Sequence, residues 1–264
     1  MIDFHNHVLH GVDDGPQKIE DSIEMLRYAS NQGITKVVQT VHFQHPKMEG
    51  KNVNYDFLKE KINEIQSKIN KENLNIKMYL TAEVFYLPNL LEIIDNPLVT
   101  IGKNKKYMLI EFKSNITPIG YEEEFYKLQL NGVTPIIAHP ERYRFIQNDF
   151  QIIKSWIERG YIMQIDAASI IGGFGKRTQK ISNNIIDQSY FHLIGSDAHN
   201  NYKRNFCLKK AYDFLEKKYS INLVKKLKRN SENIVEGRQV ENIEVDKKNI
   251  PLLLKSKIFK LFNI

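Results

Sequence analysis

Cysteine is almost absent. The 264-residue chain has one, Cys207, so an internal disulfide is excluded, as in a reducing cytoplasm, and so is a zinc site built from several thiolates. Long apolar runs are absent too. None approaches the ~18 residues of a membrane span, and a candidate ligand at His5 stands too near Met1 for a cleavable signal peptide to be expected. There is no internal repeat and no low-complexity tract. No zinc finger or aromatic RNA-binding signature is present, so nucleic acid is not expected as a partner. The net charge of +7, from 38 Lys and Arg against 31 Asp and Glu, favours anionic partners in general, such as phosphorylated substrates or acidic membrane surfaces. With 42% hydrophobic and 26% charged residues, the composition is that of a globular protein with a sizeable core. The length suits one α/β barrel of roughly 250 residues better than two small domains.

Short runs rich in Ile, Val and Tyr alternate with amphipathic stretches. The runs, at 2–4, 36–41, 78–84, 107–112, 134–138, 161–165 and 191–195, are too short and too apolar for a half-solvated sheet and read as buried strands. Between them, 19–32 places Ile19, Ile23, Leu26 and Ala29/Ser30 on one helical face and stops at Gly33. Residues 55–69 align Leu58, Ile62, Ile65 and Ile69 on one stripe, and 122–130, 152–159, 180–188 and 207–218 read similarly. Seven strands alternating with helices predict a parallel α/β sheet. A closed or nearly closed barrel of seven βα units over 1–240 is expected, with a doubly wound open sheet as the alternative. The stretch 223–230 is strongly basic. Residues 241–264 read as a basic amphipathic tail, with Leu253, Ile258, Leu261 and Phe262 apolar and Lys255, Lys257 and Lys260 cationic. Such a tail suits packing on the body, a partner subunit or an anionic membrane surface.

His5 and His7 stand two apart, so on a strand they share a face; Asp3, Asp13 and Asp14 are near them in the chain. The other strands end in His42, Glu83, Glu111, His139, and Asp197 with His199. Six of seven predicted strands therefore end in His, Asp or Glu, at the end of a parallel barrel where catalytic groups collect. With Asp14 the set is His5, His7, Asp14, His42, Glu83, Glu111, His139, Asp197 and His199. A single metal with three or four protein ligands cannot use them all. Two or three cations would relieve the mutual repulsion of the acids. Imidazole and carboxylate without thiolate suits Mn²⁺, Fe²⁺ or Zn²⁺. Arg142, in His139-Pro-Glu-Arg-Tyr143, and Arg204, shortly after His199, present planar paired donors that match phosphate oxygens.

Taken together these residues resemble the PHP (polymerase and histidinol phosphatase) superfamily, in particular its bacterial protein-tyrosine phosphatase branch associated with capsule and exopolysaccharide operons. The resemblance rests on Met1-Ile-Asp-Phe-His-Asn-His7, Val12-Asp-Asp-Gly-Pro16, Ala82-Glu83, Leu109-Ile-Glu-Phe112, Ile137-Ala-His-Pro-Glu-Arg-Tyr143 and Gly195-Ser-Asp-Ala-His-Asn200. It runs from Met1 to about Val235. It implies a distorted seven-stranded (β/α)7 barrel with three metals at the C-terminal ends of the strands, most often manganese. His5, His7, Glu83 and Asp197 would hold one metal. Glu83, Glu111 and His139 would hold a second, with Glu83 bridging, and Asp14, His42 and His199 the third. Arg142 and Arg204 match phosphate-binding positions. The implied reaction is hydrolysis of phosphotyrosine by direct attack of a metal-bound hydroxide, with the arginines stabilising the developing charge. His199 or Asp197 would supply a proton, and the sequence does not decide between them. The implied substrate is a membrane-associated tyrosine autokinase that regulates polysaccharide synthesis. That sets the protein in the cytoplasm and gives the tail a use at the inner face of the membrane.

The chain departs from the family pattern at Val41, where Pro is frequent, at His10, where Pro or an apolar residue is common, and at Asp166, often Asn in relatives. Asp166 reads as a group behind the ligands, and His45 as an exposed loop histidine. A histidinol-phosphate or other small-phosphomonoester phosphatase is the alternative enzyme. A 3′–5′ exonuclease has only the positive charge behind it. A non-catalytic metal-binding module should have lost ligands, and all nine are present. A cysteine phosphatase needs an Arg six residues after its nucleophile; that distance from Cys207 falls on Asp213, so the covalent-cysteine mechanism is excluded.

Overall fold

A computed structural model of the chain describes residues 1–48, 53–101 and 105–245. Seven parallel strands lie side by side in chain order: β1 (Ile2–Asp3), β2 (Lys36–Phe43), β3 (Lys77–Phe85), β4 (Tyr107–Glu111), β5 (Thr134–Ala138), β6 (Ile162–Asp166) and β7 (Leu193–Gly195). A doubly wound sheet reverses its order part-way; this one does not, and it curls into a nearly closed barrel. Its first and last strands meet just beyond their ends. Asn6 bridges Ala198, the His7 amide donates to Ala198 O at 2.8 Å, and the Asp197 amide donates to His5 O at 2.7 Å.

The outer layer is helical: α1 (Ile19–Asn31), α2 (Tyr55–Lys71), α3 (Leu90–Ile93), α4 (Tyr121–Leu130), α5 (Arg144–Asn148), α6 (Gln151–Glu158), α7 (Ala167–Ile170), α8 (Gly175–Asp187), α9 (Leu208–Lys218) and α10 (Ile221–Val235). Helix α2 shows why local chemistry suffices. Asn54 Oδ1 accepts from the Phe57 amide at 3.1 Å, and the expected stripe Leu58, Ile62, Ile65 and Ile69 is buried. Helix α10 coincides with the basic stretch. Ser220 caps it, and Leu223, Val224, Leu227 and Ile234 are buried on its inner face, while the cations line the other side. Helix α8 begins at Gly175, five residues earlier than expected.

Two apolar layers follow from the two-residue strand period. Val38, Leu109, Ile136, Ile162 and Leu193 join Ile2 and Phe4 in one buried cluster. Their neighbours Val37, Met108, Ile110, Ile137, Met163 and Ile194 pack into the larger cluster beneath the helices. Among the described residues no helix is long and apolar enough to cross a membrane. Residues 246–264, most of the expected tail, lie outside the described residues.

His192 is buried beneath α10, and its Nδ1 accepts from the Met163 amide at 3.2 Å, which requires a neutral ring. Burial pulls it down to about 4. The unfolded chain, with an ordinary imidazole, therefore takes up the proton first. This stability is complete above pH 6.5 and is lost as pH falls toward 4, by about 3 kcal/mol. Thermal midpoints of wild type and His192→Asn should diverge over that window, the wild type falling faster; parallel curves would contradict it.

Candidate metal centre

The inward-facing columns of the strands are apolar at the base and polar at the mouth. Val38 and Thr40 lead to His42, Thr81 to Glu83, Leu109 to Glu111, and Leu193 and Gly195 to Asp197. Glu83 stands at the centre. Its Oε2 lies 3.2 Å from His5 Nε2, 3.3 Å from His7 Nε2 and 3.2 Å from His42 Nδ1, and its Oε1 lies 3.0 Å from His139 Nε2. Glu111 is 3.7 Å from both His42 and His139. Asp14 Oδ1 reaches His42 Nε2 at 3.4 Å and His199 Nε2 at 3.1 Å. Asp197 Oδ1 is 3.5 Å from His5 and His7 Nε2. All nine residues expected as ligands thus converge, and all but the half-exposed Asp14 are largely buried.

Three subsets hold their ligand atoms within 4.8 Å of one another: His7, Asp14, His42 and His199; His5, His7 and Glu83; and His42, Glu83 and Glu111. His7 and His42 each belong to two of these, so they stand between positions that the family resemblance gives to different cations. His139 and Asp197 adopt left-handed backbone, φ 32° and 47°, uncommon outside glycine and typical of strained functional turns.

The electrostatics follow from crowding. Burial lifts Glu111 to about 8, and the charge of Glu83 adds to it. Burial alone would raise Glu83 as well, but His5, His139 and His7 override it and hold Glu83 well below the usual carboxylate range. Burial opposes the charged form of His5; Glu83 and Asp197 outweigh it and raise His5 to about 9. His139 is pulled down to about 4 by burial and by the Arg142 charge. Glu111 Oε2 and His139 Nδ1 are buried without a hydrogen-bond partner among the described residues. Hard carboxylate oxygens interleaved with imidazole nitrogens, with no thiolate, fit divalent cations.

Residues behind the histidines fix their orientation. Gln164 Oε1 lies 2.9 Å from His5 Nδ1, and Asp13 Oδ2 lies 3.0 Å from His7 Nδ1 while also accepting from the His42 amide. Both arrangements turn Nε2 toward Glu83 and Asp197. The sequence pattern points to Asp14 and not to its neighbour. Gln164 escapes it as well, because an uncharged amide carries no ligand signal; its only cue is its place on the inward column of β6. Two glycines are spacing requirements. A Cβ on Gly15 would sit 2.0 Å from His7 O, and one on Gly195 would sit 2.5 Å from the His5 Cβ.

Arg142 and Arg204 meet at one atom. Arg142 Nη1 donates to Asp197 Oδ2 and, at 3.4 Å, to Asp166 Oδ2; Arg204 Nη2 donates to the same Asp197 Oδ2 at 2.5 Å. Asp166 thus touches Arg142 rather than any of the nine residues expected as ligands. Asn200 Oδ1 accepts from the amides of Tyr202, Lys203 and Arg204, shaping the loop that carries Arg204. Asp14, His42, Glu83, Glu111, His139, Asp197 and His199 line one cavity of about 190 Å³ together with both arginines, and His5 and His7 lie behind Glu83 and Asp197. His45 corrects an expectation: rather than an exposed loop residue it is half-buried at the cavity rim, its ring 4.8 Å from that of His42. A roomier cleft of about 320 Å³ between α1 and residues 201–205 gathers no comparable donors.

Residues 1–236 match the family described as capsular polysaccharide synthesis, CpsB/CapC. The chain is 36% identical to the putative tyrosine-protein phosphatase CapC of Staphylococcus aureus over 81% of its own length and 82% of that protein. It is 31% identical to the tyrosine-protein phosphatase YwqE of Bacillus subtilis, over 91% and 93%. It superimposes with a TM-score of 0.86 and 30% identity on a chain from the crystal structures of YwqE and of CpsB from Streptococcus pneumoniae, described as metal-dependent tyrosine phosphatases; 94% of this chain and 100% of that chain are covered.

Asp13→Asn should weaken metal binding by about 10–100-fold and leave the fold intact, measured by metal titration beside circular dichroism. Unchanged affinity would remove Asp13 from the site.

Proposed function

The chain belongs to the CpsB/CapC family of capsular polysaccharide synthesis proteins, and from that premise we infer that it is a metal-dependent protein-tyrosine phosphatase. One observation carries the reading: two arginines converge on one carboxylate at the lip of a cavity crowded with imidazoles and acids. Donors shaped for an anion thus adjoin donors shaped for cations.

Three Mn²⁺ ions are proposed, with Fe²⁺ or Zn²⁺ the other ions such ligands accept. His5, His7, Glu83 and Asp197 would hold one, Glu83, Glu111 and His139 a second, and Asp14, His42 and His199 the third. Bound there, they would neutralise phosphate oxygens and make a water acidic enough to attack phosphorus near neutral pH.

The remaining work falls to the chain itself. Arg142 and Arg204 would exchange Asp197 for phosphate oxygens and stabilise the charge that develops on them. The buried Arg204 Nε has no hydrogen-bond partner among the described residues and so offers a further donor. Burial and the adjacent His7 hold His199 down, which suits a ligand better than a proton donor, and a tyrosyl oxygen leaves without a strong acid. Cys207 is outside this chemistry. It stands at the start of α9, and burial pushes its thiol well up, away from the thiolate a nucleophile needs. The proposed substrate is a phosphotyrosine-bearing, membrane-associated tyrosine autokinase, met at the cytoplasmic face of the membrane with help from the tail.

Metal analysis combined with hydrolysis of a phosphotyrosyl peptide tests this. Activity should depend on Mn²⁺, disappear on chelation and survive Cys207→Ser; loss in the cysteine variant with indifference to chelators would overturn it. Arg142→Lys should lower kcat/KM by roughly 100-fold. Faster turnover of histidinol phosphate than of the peptide would reassign the substrate. Deleting 249–264 should abolish binding to anionic vesicles and leave peptide hydrolysis intact; vesicle binding that persists removes the tail from the proposal.

A further inference from the structure

We propose that Phe174 is a positioning residue that holds Arg142 and Arg204 side by side, so that they bind phosphate as a pair; this rests on the phosphate-binding role given to them above. Phe174 is half-buried, yet it joins neither apolar cluster of the core. Its ring instead lies under two guanidinium groups, with the carbon of Arg142 4.8 Å and that of Arg204 5.8 Å from its centroid. An aromatic face attracts a guanidinium and stacks on its plane. The edges, which carry the N–H donors, stay free to turn toward an anion.

The segment that carries Phe174 is anchored to the same strand end. The Gly173 amide donates to Ala168 O at 2.7 Å, and Gln179 Nε2 donates to Ile170 O at 3.1 Å. Both acceptors lie in α7, whose first turn is capped by Asp166, with the Ala168 amide donating to its carboxylate at 2.8 Å. The connection after β6 therefore serves Arg142 twice, with a carboxylate at its edge and a ring at its face. The two arginines come from distant parts of the chain, after β5 and after β7. Asp197 and Phe174 are what the structure shows them sharing. If phosphate displaces the arginines from Asp197, the ring is the shared contact that persists. Without it, two long side chains must be ordered anew on each binding event.

The test compares wild type, Phe174→Leu and Phe174→Tyr, each loaded with Mn²⁺. Affinity for inorganic phosphate is measured by calorimetry, metal content by elemental analysis, and KM and kcat on a phosphotyrosyl peptide. Phe174→Leu should weaken phosphate binding by roughly tenfold at unchanged metal content, and Phe174→Tyr should restore it. In an Arg142→Ala, Arg204→Ala background the leucine substitution should have under a twofold effect, because coupled residues are not additive. Unchanged phosphate affinity overturns the proposal, including the case where only the peptide KM rises, which would make the ring a platform for the substrate's own aromatic group. A full effect in the double-alanine background, or loss of metal in Phe174→Leu, overturns it as well. A wild type that binds phosphate through this pair but hydrolyses no phosphoester would remove the phosphatase reading and leave the arginine pairing standing.

Discussion

Everything at the mouth of the barrel depends on one buried carboxylate. Glu83 contacts imidazoles that arrive from the ends of β1, β2 and β5. A buried charge costs several kcal/mol unless it is compensated, and here compensation comes from three separate strands. Register must therefore be right in each. The β2–β3 ladder sets His42 opposite Glu83, and the β3–β4 ladder sets Glu83 opposite Leu109, which leaves Glu111 one inward step further along. A slip of one residue would turn each of these side chains to the helical layer. The buried polar cluster and the strand register thus constrain each other.

Asp197 extends that arrangement toward the solvent. One of its oxygens faces His5 and His7, and the other faces Arg142 and Arg204. A single carboxylate thereby joins the imidazoles to the guanidinium groups, from a residue with left-handed backbone. Charge drawn to one side alters what the other side experiences.

Much of this was legible in the chain, for identifiable reasons. Buried parallel strands stand out as short apolar runs, and a polar residue that closes one run after another marks a shared polar mouth. That is why His42, Glu83, Glu111, His139 and Asp197 could be placed at strand ends from the amino-acid order alone. The residues that orient His5, His7 and the arginines could not be placed so. Gln164 is an uncharged amide, Asp13 is overshadowed by Asp14, and Phe174 looks like an ordinary core aromatic. Their roles depend on which groups other strands bring beside them. Helix α10 was hidden for a different reason: Lys225, Lys226, Lys228 and Arg229 dominate its composition, while Leu223, Val224 and Leu227 carry its packing. His45 was misjudged because a loop position says nothing of the neighbour it folds against, here His42 and Phe85.

The seam of the barrel has a consequence in time. His5–His7 and Asp197–Ala198 form both the closing contacts of the sheet and part of its polar mouth, with roughly 190 residues of chain between them. At ~5–20 residues per second of synthesis, the first imidazoles wait on the order of ten to forty seconds before their last partner leaves the ribosome. A translation product that stops short of Arg204 lacks part of this set of acids, imidazoles and guanidinium groups, so the site is completed only after the seventh strand.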